Sequence, residues 1–150
     1  MKLDKLCLVI DNLKSIYQCE DSVEVSLEAN PDDIVGRVSD FVSAGINRLS
    51  IGVQTFNEDD LQIFNRSHTV SQSLSVISEC LKQLPRATSV DLLFGRPGQD
   101  LHNWLEELDT VIRMGLRHVS LYQLTVERGT PLFREVSAGR VKMPGERRFY

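Results

Sequence analysis

Ile46-Asn47-Arg48-Leu49-Ser50-Ile51-Gly52-Val53-Gln54-Thr55-Phe56 is the stretch on which the reading of this chain turns. Leu49, Ile51 and Val53 alternate with Ser50 and Gly52, the period of a half-buried strand, and Gln54 arrives where the run stops. An earlier run, Val23 to Leu27, ends the same way in Glu28, just before Ala29-Asn30-Pro31. Two strands that each deliver a polar side chain at the carboxyl end describe the mouth of an α/β barrel, where the sheet holds side chains still and the loops can vary.

Working outward, helices and strands alternate. Leu6, Ile10, Leu13 and Tyr17 recur at helical spacing and predict a helix over 3–18. A strand is expected over 22–28. Asn30 and Pro31 then offer a cap and a first-turn proline for one helix, with Ile34, Val38, Phe41 and Val42 as its buried stripe and Gly45 as its end. After the strand over 47–53, a short helix starts near Asn57, and Glu58, Asp59 and Asp60 suit its positive end. A helix over 71–84 buries Leu74, Ile77 and Leu81. A strand over 89–94 leads into the turn Gly95-Arg96-Pro97-Gly98-Gln99. Asp100 caps a helix with the apolar face Leu101, Trp104, Leu105, Leu108, Val111 and Ile112, closed by Gly115. A fourth strand covers 117–124, and beyond Gly129-Thr130-Pro131 the chain turns polar. Strands separated by single helices imply βαβ units and a parallel sheet. Periodicity alone leaves open whether the helices cover one side of a curved sheet or both sides of a flat one.

Composition narrows the function classes. The 150 residues are 41% hydrophobic and 25% charged, with a net charge of −4, which suits one globular domain or part of one. No basic cluster with interleaved aromatics supports nucleic-acid binding. No apolar run approaches the ~20 residues of a membrane span, and the first 17 residues, which carry acids and polar groups and show helical spacing, do not read as a targeting peptide. Cys7, Cys19 and Cys80 have no ligand spacing and read as reduced thiols. His68, His102 and His118 show no metal-ligand spacing either, and read as packing or surface residues. The Gly95–Gln99 segment lacks both phosphate-loop patterns.

Four side chains could carry chemistry. The Glu28 carboxylate can accept hydrogen bonds from an amine or hydroxyls, and the Gln54 amide can both donate and accept. Each has a plainer alternative, in helix capping for Glu28 and a bond to a neighbouring loop for Gln54. Asp91 sits in the otherwise apolar run Val90-Asp91-Leu92-Leu93-Phe94 and needs a partner against desolvation, either a protein group such as an arginine or a ligand. Arg66 is either a solvated surface residue or a planar fork for a carboxylate.

Taken in order, E-A-N-P, I-N-R-L-S-I-G-V-Q-T-F, N-R-S-H, V-D-L-L-F-G-R-P-G-Q and H-V-S-L-Y-Q-L-T-V-E-R-G-T resemble the radical S-adenosylmethionine (SAM) proteins of the HemW/HemN group over 23–133. The E-A-N-P and L-Y-Q-L-T-V-E segments resemble HemW-type haem chaperones more than HemN-type coproporphyrinogen dehydrogenases. The resemblance implies an α/β fold, part of a partial (β/α)6 TIM-type barrel with parallel strands, and a protein that in full length carries SAM, a [4Fe–4S] cluster and haem. It implies SAM contacts at Glu28, Gln54, Arg66 and Asp91, and a substrate-side position at Thr125. It further implies haem-receiving protein partners, and a mitochondrial location in a eukaryote or a cytoplasmic one otherwise.

The chain departs from that pattern in three places. The family's C-x-x-x-C-x-x-C cluster loop and the glycine-rich segment after its second strand are not matched, and Arg96 stands where the G-L-P-G-Q loop usually has a small or apolar residue. The expectation is a fragment or isoform: residues 1–135 as a barrel lacking its first two βα units, and 136–150 leading towards a C-terminal domain. Without thiolate ligands, radical catalysis by this chain alone is not expected. The open first strand is expected to leave apolar surface uncovered and the chain prone to associate. The alternatives are a fragment of a HemN-like dehydrogenase and a cofactor-free interaction module.

Overall fold

The structure, a computed structural model, describes residues 3–144. Four strands, β1 (Ser26–Ala29), β2 (Arg48–Gln54), β3 (Thr88–Phe94) and β4 (His118–Gln123), form one sheet in the order β1-β2-β3-β4. Every neighbouring pair is parallel. Around them lie α1 (Leu3–Ile16), α2 (Pro31–Ile34), α3 (Val38–Ser43), α4 (Glu58–Ile63), α5 (Val70–Gln83), α6 (Leu101–Arg113) and α7 (Pro131–Ser137).

The strand order decides between the two layouts that periodicity leaves open. A doubly wound sheet reverses its strand order at a switch point, whereas here each strand adds beyond the last in one direction. With right-handed crossovers, unidirectional addition puts the connecting helices on one side, as in an arc of a barrel.

That side is the apolar one. Leu49, Ile51 and Val53 of β2 and Val90 and Leu92 of β3 are fully buried and pack in one cluster with Ile34, Val38, Val76, Ile77 and Cys80. Burying each such aliphatic side chain is worth roughly 1.5–3 kcal/mol. The other face carries the alternate residues: Glu28, Ser50, Gly52, Ser89 and Asp91. Glu28 pairs in register with Ser50, and Ser50 with Ser89, so a polar row crosses the sheet.

Several local expectations change. The first strand is shorter than 22–28 because the Asn47 side chain replaces its ladder: Val25 N donates to Asn47 Oδ1 (2.7 Å), and Asn47 Nδ2 donates to the Val23 carbonyl (2.8 Å). The single helix expected after Pro31 is two, α2 and α3, split at Gly36 in the left-handed region (φ 67°). Asn30 does not cap α2 with its side chain; its Oδ1 accepts from Arg66 Nη1 instead. On α5 the buried face is Ser73, Val76, Ile77 and Cys80, with Leu74 and Leu81 half-buried. Ser73 can occupy that face because its hydroxyl donates to the Thr69 carbonyl.

The outer elements are less covered than their patterns suggest. Leu6 and Ile10 of α1 are buried, but Leu13 and Tyr17 are exposed. On α6 only Glu107 and Val111 are buried, while Leu101, Leu105 and Ile112 face outward. The polar stretch after Gly129 contains α7, capped by Thr130. Residue 135 lies within α7, and 145–150 lie outside the described residues. Asn57, Asp100 and Gly115 serve as expected: Asn57 and Asp100 cap α4 and α6, and Gly115 has φ 81° just beyond α6.

Candidate functional site

A cleft of about 300 Å³ opens towards the carboxyl ends of β1–β3, lined by Glu28, Ala29, Asn30, Gly52, Gln54, Arg66 and Asp91. Four of the five candidate residues therefore share one space, although Arg66 reaches it from beyond α4. Thr125 lies past β4, exposed and outside that lining. Gly52 forms the cleft floor for a steric reason. A Cβ there would stand 3.0 Å from Gln54 Nε2 and 3.4 Å from Asn30 Oδ1.

Asp91 is satisfied by a protein group, one of the two alternatives expected for it, although that group is a serine and not an arginine. The Ser50 hydroxyl donates to Asp91 Oδ1 (3.1 Å) and lies 2.9 Å from the Ser89 hydroxyl. A serine can serve because Asp91 points away from the helix-covered side, so its carboxylate needs orientation more than a counter-charge. Arg66 Nη1 donates to Asn30 Oδ1 (3.1 Å), and Asn30 Nδ2 to Asp33 Oδ2 (3.3 Å). These bonds fix the guanidinium at the rim while its other donors remain available to a ligand.

Gln54 has an unusual backbone. Its φ is +69°, and Thr55 N donates to the Val53 carbonyl across it (2.9 Å), which is a γ-turn with the central residue in the left-handed region. The β2–β3 register shifts between Ile51 and Gln54 at the same point. The strand thus ends on a bulge that folds the Gln54 amide over Gly52.

A second polar assembly lies behind this exit. Arg96 is 1% exposed, among the largest fully buried side chains, and ion-pairs with Glu107 (2.6 Å) and Asp60 (2.9 Å) while donating to Thr55 Oγ1. Glu107 Oε1 accepts from Thr55 Oγ1 (2.6 Å) and Phe56 N (2.8 Å). Burial pushes the Glu107 carboxyl above its ordinary value; the Thr55 hydrogen bond and then Arg96 pull it back. Asp60 is likewise pushed up by burial and drawn down by Arg96. A wider polar groove of about 700 Å³ runs past Arg96 between α4 and α6. Sequence reasoning missed this assembly. Its one signal was a carboxylate at Glu107, between Trp104 and Val111 on the inward stripe of α6.

Of the histidines and cysteines, His68 and Cys80 are packing groups. His68 is buried with Nε2 3.2 Å from the Val53 carbonyl, while His102 and His118 are exposed. Cys80 is in the core, where burial and then the Glu79 charge push its thiol up to about 12. Among the described residues no group of three His, Cys, Asp or Glu side chains is arranged to hold a metal ion. These residues therefore do not fit an iron–sulfur cluster, whereas the cleft's acids, amide and guanidinium suit a ligand with an ammonium, a carboxylate and hydroxyls.

The family model of the Radical SAM superfamily matches residues 8–111. The chain belongs to the radical SAM superfamily. This radical SAM chain is 41% identical over 142 residues to the radical S-adenosyl methionine domain-containing protein 1, mitochondrial, of Danio rerio, covering 94% of this chain and 32% of that protein. It is 34% identical over 128 residues to the heme chaperone HemW of Haemophilus influenzae, covering 85% of this chain and 33% of that protein. The chain thus spans about a third of the length of the curated relatives it matches. Among solved structures, coproporphyrinogen III oxidase (HemN) from Escherichia coli, described as a radical SAM enzyme, superposes with a TM-score of 0.79. That match covers 99% of this chain and 34% of that one at 20% identity, a likeness of fold. Membership implies SAM and a [4Fe–4S] cluster as the family's cofactors, and no helix of the described residues is long and apolar enough to cross a membrane.

Proposed function

We propose that the cleft is a SAM site in a HemW-like protein, with Glu28, Gln54, Arg66 and Asp91 as its contacts. The observation that carries this reading is the convergence of those four side chains on one space floored by a glycine. Arg66 supplies a planar fork for the carboxylate of SAM, and Glu28 and Asp91 accept from its ammonium and ribose hydroxyls. Gln54 donates to and accepts from a polar edge. These four residues would hold SAM, which would supply radical chemistry only in a protein that also provides a cluster. The described residues only bind and orient SAM, because they offer no cluster ligands. Thr125 lies outside this lining, and its proposed place, by resemblance, is on the substrate side.

The relative named a heme chaperone supports handling of haem, and the one named mitochondrial supports a mitochondrial location; haem-receiving proteins as partners belong to the same proposal. The HemN-like alternative rests on fold alone. Calorimetric titration with SAM tests the site. Saturable binding that weakens in Glu28→Gln and Asp91→Asn is expected, and affinity unchanged in both variants would sink the assignment. For haem, titration followed by absorbance should saturate at a simple ratio; a featureless linear rise would remove the chaperone reading.

A further inference from the structure

The left-handed turn at Gln54 has a cost and a cause. A non-glycine residue in that region is disfavoured, and it persists only where surrounding contacts over-determine it. Gln54 has no side-chain reason of its own to adopt it, because its amide is free to swing on two sp³ torsions. The constraint must therefore act on the residues either side.

Both flanks are held by buried groups. Before the turn, the Val53 carbonyl takes the Thr55 N–H and also faces His68 Nε2 at 3.2 Å, and His68 is 3% exposed. After the turn, fully buried Thr55 is held through its hydroxyl by Arg96 and Glu107, and it accepts from Asn57 N (3.0 Å). Glu107 also takes the next backbone donor, Phe56 N. Arg96 locks Glu107 from the other side and ties it to Asp60 on α4. The chain on each side of Gln54 is thus anchored to α4, α6 and the segment before α5.

We propose that Arg96, acting through Thr55 and Glu107, and His68, acting through the Val53 carbonyl, are positioning residues that force the Gln54 turn and thereby aim its amide into the ligand cleft. Neither residue lines that cleft. The inference rests on the SAM reading only for what Gln54 is aimed at; the turn itself can be observed without ligand. A guanidinium suits this role because it reaches three partners at once, as no aliphatic side chain can.

The test is nuclear magnetic resonance on the labelled chain combined with SAM titration. A positive φ brings the amide and α protons of Gln54 close, so its intraresidue NOE is strong in the native protein. Two variants are compared. Arg96→Leu removes the hub, and Thr55→Val cuts the link to the turn while leaving Arg96 paired with Asp60 and Glu107, so it remains informative where the first does not fold. The expected result is a Gln54 NOE reduced to the level of its extended neighbour Val53. Loss of one aligned hydrogen bond should also weaken SAM about 3- to 10-fold. Gln54→Ala combined with Thr55→Val should bind no worse than Gln54→Ala alone.

A Gln54 NOE at native strength in Thr55→Val overturns the proposal, as does an affinity loss that adds fully to that of Gln54→Ala. If the native chain takes up no SAM, the cofactor reading fails, and the NOE still decides whether Arg96 and Thr55 set the turn. If SAM binds and the NOE does not move, the positioning role fails and the cofactor reading stands.

Discussion

Two polar assemblies sit at the same end of the sheet, and they are built on opposite principles. Around Arg96 the charges close on one another: a guanidinium faces two carboxylates and a hydroxyl, and water is nearly excluded. In the cleft the acids stay open, because Glu28 and Asp91 are oriented by sheet register and a serine without being neutralised. Buried charge that is satisfied internally fixes geometry. Charge left with spare capacity meets a ligand. The difference teaches that similar residue types divide into framework and site by where they stand: Arg96, Asp60 and Glu107 meet one another from the loop after β3, α4 and α6, whereas Glu28 and Asp91 leave the open face of β1 and β3.

The largest effect should come from breaking the closed assembly. Arg96→Leu leaves Glu107 and Asp60 buried without their counter-charge, and urea unfolding should show a loss of about 3–5 kcal/mol. Cleft substitutions should do the reverse. Asp91→Asn still accepts from Ser50, so its unfolding midpoint should stay within about 0.5 kcal/mol of native, while SAM affinity by calorimetry should fall about tenfold with loss of a charged acceptor. A stability loss for Asp91→Asn as large as that for Arg96→Leu would erase the distinction between the two regions.

Smaller changes sharpen it. Gln54→Gly relieves the left-handed backbone and should raise stability by about 1 kcal/mol while weakening SAM, so that thermal melting and calorimetry move in opposite directions. Protonation gives the subtlest contrast. The folded Glu107 carboxyl titrates above its ordinary value, chiefly through burial. Between the unfolded and folded values the native state therefore holds a proton that the unfolded chain has released, and this contribution is complete below the unfolded value and lost as pH rises through the folded one, above which Glu107 is the carboxylate paired with Arg96. Glu107→Gln removes it, so stability measured against pH should decline less steeply above the ordinary carboxylate range than in the native chain. An unchanged slope would mean that Glu107 is not the group responsible.

Much of this architecture was legible because local signals agreed with one another. Leu49, Ile51 and Val53 marked both a strand and its buried face, and Asn57, Asp100 and Gly115 each sat at a helix end. Glu28, Gln54, Arg66 and Asp91 could be placed together because resemblance supplied the pairing that spacing alone left open. The failures share a cause. Asn47 shortens β1 by bonding across to Val23 and Val25, and Arg96 finds Asp60 and Glu107 from other elements; none of these partners is adjacent in sequence. Gly36 was masked because Ile34 and Val38 keep a helical stripe across the break. The outward face of α6 escaped for a different reason: amphipathic spacing says which side is apolar, and nothing about what covers it.

The unidirectional strand order also bears on how the chain folds. Among the described residues each strand pairs only with those before and after it in sequence, so the β1–β2 and β2–β3 pairings need not wait for the last strand to arrive. Loop-closure entropy is met in successive modest steps, which favours fast collapse relative to sheets joined by distant strands. On a ribosome, β1 and β2 can dock while β4 is still being synthesised, and each new strand then meets a finished edge. The same topology that lines up Glu28, Ser50 and Ser89 thus lets the two sides of the cleft come together before the polypeptide is complete.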